Sequence, residues 1–138
     1  MKAPLLYRIA SALLLLFAAG HTMGFRRVDA RWGVDAAIQA LKATRFDVQG
    51  FSRTYWGFYT GFGLFVSVLL LFAAAVAWQL GGLSREVLGA RPGVTWGLAV
   101  CFVAVTFLSW QYFFIAPVVF SGLIALSLLA AAWSAGGA

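Results

Sequence analysis

The chain has 138 residues, 63% of them hydrophobic and 10% charged, with a net charge of +6 and a mean hydropathy of +0.92. A soluble domain carries about 25% charged residues, so this composition excludes an ordinary soluble module and indicates a single integral membrane domain. The basic residues are scattered through loops, which suits topology and anionic-lipid contact rather than nucleic acid, and the lone Cys101 excludes an internal disulfide or C-x-x-C exchange.

The first apolar run, about residues 5–25, is long enough for a bilayer span. Lys2, the Leu13–Phe17 core and Ala18-Ala19-Gly20 imitate a secretory signal. Arg8 interrupts the apolar region and the small residues lead straight into His21, so an uncleaved span is expected, with Arg8 snorkelling to the headgroups. Gly20-His21-Thr22-Met23-Gly24 closes the run, and its G-x-x-x-G spacing suits close helix approach. His21 is the sole histidine.

Residues 26–53 form the one substantial hydrophilic segment. Within it Val34, Ala37, Ile38 and Leu41 recur at helical spacing, opposite Asp35, Gln39 and Lys42. The expectation is a short amphipathic helix, about residues 34–45, either lying on the membrane surface or capping the helices.

The second span is expected over about residues 55–80. Trp56, Thr60, Gly63, Ser67, Ala74 and Trp78 share one stripe, with Gly57 and Gly61 as a G-x-x-x-G beside it. Gly81-Gly82 ends the helix, and residues 83–93 read as a loop with Arg91-Pro92-Gly93 as a turn. The third span, about residues 94–114, carries a packing stripe of Thr95, Ala99, Phe102, Thr106 and Ser109. Cys101, beside Val100 and Phe102, reads as a small buried hydrophobe. Ile115-Ala116-Pro117 is a charge-free connection, with Pro117 placed to start the fourth span, about residues 117–133. The fold expected is an all-α bundle of four transmembrane helices, both termini on one side. Six Lys and Arg of the first loop outnumber four on the termini's side, which favours a cytoplasmic loop. The charge-free Ile115–Pro117 turn favours the reverse, and termini in the cytoplasm are preferred.

Absences exclude several membrane chemistries. Asp29, Asp35, Asp47 and Glu86 all lie outside the apolar runs. A proton-coupled four-span drug transporter needs a membrane carboxylate, a quinone-reducing thiol oxidoreductase needs paired cysteines, and a bis-histidine haem bundle needs a second histidine. No cofactor or metal site is expected.

Spans one and three run the same way, so His21 and Gln111 end at similar depth, where Tyr55 and Tyr59 begin span two. The expected site is a polar-aromatic mouth of His21, Thr22, Arg53, Tyr55, Tyr59 and Gln111. An aromatic interface belt, with His21 hydrogen-bonded to a neighbouring helix, would produce much of the same pattern.

Three motifs carry a resemblance: Gly20-His21-Thr22-Met23-Gly24, Arg45-Phe46-Asp47-Val48-Gln49-Gly50 and Tyr55-Trp56-Gly57-Phe58-Tyr59-Thr60-Gly61-Phe62-Gly63. In these the chain resembles a group of uncharacterised bacterial four-span integral membrane proteins with a G-H-T-x-G motif. It is more distantly similar to DoxX-like four-helix proteins and sterol-isomerase-like bundles, the latter relying on membrane carboxylates that are missing here. The resemblance implies a multi-pass protein of the bacterial inner membrane and no particular activity. The leading expectation is a non-catalytic protein that binds membrane lipid, a lipophilic small molecule or a membrane partner at the His21 mouth. One alternative is an enzyme on a lipid-soluble substrate, with His21 as general acid or base oriented by Asp29 or Asp47. Another is a packing subunit or homo-oligomer joined through Gly57/Gly61 and Gly89/Gly93/Gly97.

Overall fold

A computed structural model describes residues 2–136. Four helices are long and apolar enough to cross a membrane: α1 (Lys2–Gly24), α3 (Tyr55–Leu80), α5 (Pro92–Tyr112) and α6 (Ile115–Gly136). Two shorter α-helices, α2 (Asp35–Ala43) and α4 (Arg85–Gly89), are the others among the described residues, which are 81% helical. This is an all-α, four-span membrane protein. Its chain forms two compact units, residues 18–69 and the remainder, with α1 and α3 each running through both.

In the unit of residues 2–17 and 70–136, alanines and serines make up most of the buried positions, with a few large side chains such as Tyr7, Leu14, Ile124 and Leu128 among them. Ala3, Tyr7, Ala10 and Leu14 of α1 recur every three or four residues, as do Leu70, Ala73, Ala74, Ala77 and Leu80 of α3. Ser121, Ile124, Ala125, Leu128, Ala131, Ala132 and Ala135 continue the pattern on α6. Large apolar side chains such as Phe72, Phe107, Leu126 and Trp133 point outward. In water that arrangement would be costly. In lipid no hydrophobic force separates Leu from its surroundings, so small residues that let backbones approach define the interior. Ser11 Oγ adds an interhelical hydrogen bond to the Ala74 carbonyl at 2.8 Å. The expected α5 stripe is buried at Thr95, Ala99, Phe102 and Ser109, while Thr106 is half-buried and donates back to the Phe102 carbonyl.

Several details correct the sequence reading. Residues 83–93 are not simply a loop, because Ser84 caps the short α4 by accepting from the Val87 N–H. Pro92 occupies the first turn of α5, where its missing N–H costs nothing. Pro117 is the third residue of α6, not its start, again inside the first turn where no N–H is needed. Cys101 is exposed: it lies two residues, about 200°, from buried Ala99 and so leaves the packing face. Arg8 has partners within the protein. Its Nε donates to the Gly81 carbonyl at 3.3 Å and its guanidinium lies 3.6 Å from the Trp78 ring centroid, closing the end of α3.

In the unit of residues 18–69, α2 stops at Ala43 and the next residues form a β-hairpin, where the sequence reading continued a helix to residue 45. Strands β1 (Arg45–Val48) and β2 (Phe51–Thr54) pair antiparallel, Arg45 opposite Thr54 and Val48 opposite Phe51. Gln49 and Gly50 join them with φ of 51° and 82°. Both central residues at positive φ make the type I′ turn whose twist matches a hairpin. A 3₁₀ turn at Ala30–Trp32 precedes α2.

Candidate functional site

The C-terminal end of α1 meets the N-terminal half of α3 through a small set of polar and aromatic contacts. His21 Nε2 lies 3.0 Å from the Gly63 carbonyl oxygen. A carbonyl only accepts, so Nε2 carries a proton and donates it to Gly63. Ser67 Oγ, one turn on, also approaches the Gly63 carbonyl at 3.2 Å, and Thr22 Oγ1 sits 2.8 Å from Ser67 Oγ and 2.7 Å from the Ala18 carbonyl. Each hydroxyl has one proton, so two arrangements satisfy this cluster. Thr22 donates to Ser67 while Ser67 donates to Gly63, or Ser67 donates to Thr22 while Thr22 donates to Ala18.

Phe25 completes the junction. Its ring stacks on His21 at 5.1 Å, the i,i+4 distance along α1 and its terminal turn, and tilts against Tyr59 at 6.1 Å. Tyr59 Oη donates to the Phe25 carbonyl at 2.6 Å, supplying a partner to the chain as it leaves α1. Gly63 is required by this packing: a Cβ there would stand 2.3 Å from the nearest carbon of the Phe25 ring. Gly20 and Gly24, by contrast, face open space, so the close approach expected of that pair occurs at Gly63 instead.

A second group joins the hairpin to the start of α3. Phe46 packs on Tyr55 at 4.9 Å and on Phe58 at 5.3 Å. Thr54 Oγ1 accepts from the Gly57 N–H at 3.0 Å and caps α3. Lys42 Nζ lies 5.0 Å from the Trp56 ring centroid, the Arg53 guanidinium 4.9 Å from that of Phe51, and the Arg26 guanidinium 5.4 Å from that of Phe25. These are cation–π distances, and each holds its cation against an aromatic face rather than against a carboxylate.

No known protein family matches this chain, and no characterised protein or solved structure does.

Of the six residues expected at the mouth, His21, Thr22 and Tyr59 belong to the junction, while Arg53 and Tyr55 belong to the neighbouring hairpin group. Gln111 lies in the other unit, where its side chain is exposed near the end of α5. Phe25 is outside the expected mouth, Phe46 enters the sequence analysis only within the Arg45–Gly50 motif, and Gly63 and Ser67 enter it on a packing stripe, Gly63 also within the Tyr55–Gly63 motif. Phe25 was legible as the i+4 neighbour of His21. Phe46 was legible from the Phe46/Val48 alternation before Gln49-Gly50, had a hairpin been read there.

The orienting carboxylates of the enzyme reading are placed otherwise. Both Asp29 oxygens are bonded by Arg31, whose Nε approaches them at 3.0 Å and whose Nη2 approaches Oδ2 at 2.5 Å. Those guanidinium bonds, with the Arg31 N–H bond at 2.9 Å, hold the Asp29 carboxyl below the usual carboxylate range. Asp47 is exposed on β1. Among the described residues no group of three or more His, Cys, Asp or Glu side chains is gathered for a metal. Of the glycines expected to mediate oligomers, Gly61, Gly93 and Gly97 face open space, Gly57 sits against its own cap at Thr54, and Gly89 lies against the Ala135 carbonyl of the same chain.

Proposed function

We propose that this chain is a non-catalytic integral membrane protein whose unit of residues 18–69 binds anionic lipid headgroups at the membrane interface. One observation carries the reading. Among the described residues the one ion pair is Arg31 with Asp29, so Arg26, Arg27, Lys42, Arg45 and Arg53 stand without a carboxylate partner on a single short module. Three of them rest on aromatic rings, the pairing that suits the headgroup level of a bilayer. No residue of α2 is buried, and its Ile38 and Leu41, with Val34 just before it, have no sealed protein core to occupy. A helix with that composition lies in the interface with its apolar side towards the acyl chains. His21, Thr22 and Tyr59 then serve to position the module, since their hydrogen bonds are made within the protein. In this reading the chain resides in a bacterial inner membrane with cytoplasmic termini, a placement that draws on the charge-free Ile115–Pro117 stretch that opens α6.

The test reconstitutes the full chain in nanodiscs of equal phosphatidylcholine and phosphatidylglycerol and measures retained lipid by native mass spectrometry. Juxtamembrane cations contribute about 1 kcal/mol each to anionic-lipid contact, so R26Q/R27Q/R45Q/R53Q should lose at least about tenfold in phosphatidylglycerol enrichment. Equal enrichment in the variant and the wild type would remove the reading.

A further inference from the structure

We propose a phosphate-group site in the other unit, built by Lys2, Arg85 and Ser134. These residues, with Ala3, line a cavity of about 240 Å³. They come from three elements: the start of α1, the start of α4 and the end of α6.

Among the described residues the wall carries two cations and no carboxylate. Glu86 follows Arg85 in the chain but does not line the cavity, and neither Lys2 nor Arg85 makes an ion pair among the described residues. Two like charges facing one small cavity repel each other unless an anion lies between them. Ser134 supplies an independent observation. Thr22, Ser67, Thr95, Thr106, Ser121 and Ser127 all sit within hydrogen-bond reach of a carbonyl three or four residues back. Ser134 is half-buried in α6 and makes no such bond among the described residues, which leaves its O–H available to the cavity it lines.

The backbones behind these side chains are well fixed. Ala3 is 2% exposed and Leu88, at the far end of α4, is fully buried. Gly89 lies so close to the Ala135 carbonyl that an added Cβ would stand 2.9 Å from it, which fastens α4 to the end of α6 beside Ser134. The geometry therefore gathers the exposed Arg85 guanidinium and Lys2 ammonium and the half-buried Ser134 hydroxyl around one space, the donor set that suits a phosphate. The volume is several times the roughly 30 Å³ that a water occupies in the liquid, enough for a tetrahedral phosphate with an ester substituent. Trp133 neighbours Ser134 in the chain and packs edge-on against Trp96 at 6.4 Å. Tryptophans mark the bilayer interface, which places a phospholipid headgroup ahead of free phosphate as the source of the group.

The experiment uses the full chain in a neutral detergent, titrated separately with dihexanoyl phosphatidylglycerol and with inorganic phosphate. K2Q and R85Q should each weaken phosphatidylglycerol binding about five-fold, and S134A by a similar factor. R91Q removes one charge from outside the cavity and should change little. Retention of the lipid with no competition from inorganic phosphate supports a headgroup site, and competition by phosphate supports a free-phosphate site. Failure of both probes to bind the wild type, or losses in K2Q and R85Q no larger than in R91Q, would overturn the proposal. Helicity by circular dichroism checks that the variants fold, and S134A reports on the cavity without altering charge. Repeating the titration in R26Q/R27Q/R45Q/R53Q separates this site from the interface module, because the cavity's increment should persist there.

Discussion

The two units of this chain solve helix packing with different chemistry. Residues 2–17 and 70–136 are joined mainly by shape: alanines, a few serines and fully buried Leu14, Ile124 and Leu128, with the bulky apolar groups outside. Residues 18–69 bury almost nothing, yet carry the His21–Gly63, Thr22–Ser67 and Tyr59–Phe25 hydrogen bonds and a continuous set of aromatic contacts. The physical reason lies in the solvent. Where lipid tails surround a helix, close backbone approach is the available source of stability. Where the chain leaves the span, water competes for every polar group, and the segment is held by caps, stacked rings and cations lying on them. Cations without a carboxylate partner occur in both units among the described residues, but in residues 18–69 three of them rest on aromatic rings.

Breaking either device should separate the two units by the size and the site of the effect. The largest loss is expected from Leu128→Ala in α6, where a fully buried side chain leaves a cavity costing about 2–5 kcal/mol. Thermal unfolding in detergent should fall accordingly, while the environment of the tryptophan beside the hairpin, Trp56, stays as it was until the helices separate. Gly63→Ala is expected to be milder, about 1–3 kcal/mol, because its methyl group forces the Phe25 ring aside. Its signature is local: amide exchange at Phe25 to Arg27 should accelerate as the Tyr59 contact loosens. Unchanged exchange there would mean that the junction is not the element holding the loop. The smallest effect concerns Asp29. Its carboxyl is held below the ordinary range by Arg31, so the contribution is present above the unfolded carboxylate pKa and is lost as pH falls through the lower folded value. The pair is solvent-exposed and screened, so the change should be confined to the 3₁₀ turn at Ala30–Trp32. Monitoring the Arg31 side-chain resonance through acid titration checks it, and Asp29→Asn should abolish the transition.

Much of the architecture was legible from hydropathy alone. All four spans end within three residues of their expected limits, because a run of about twenty apolar residues has one economical conformation in a bilayer. The α5 stripe was legible as well, since small and hydroxyl residues at helical spacing have few other uses in lipid. Short elements were less legible. The hairpin at Arg45–Thr54 depends on Gln49 taking a positive φ, which a non-glycine residue does not advertise. The five-residue α4 is too short for periodicity to show.

The candidate site divides in the same way. Sequence by itself determined that this is a four-span membrane protein whose one histidine lies at the end of a span, without intramembrane carboxylates or paired cysteines. Only the tertiary structure decided that His21 donates to a backbone carbonyl at Gly63, that Asp29 is held by Arg31, and that Lys2, Arg85 and Ser134 line one cavity. The reason is that partition into lipid depends on composition over a window of some twenty residues, whereas a hydrogen bond or a shared cavity depends on which helices meet, and at what register.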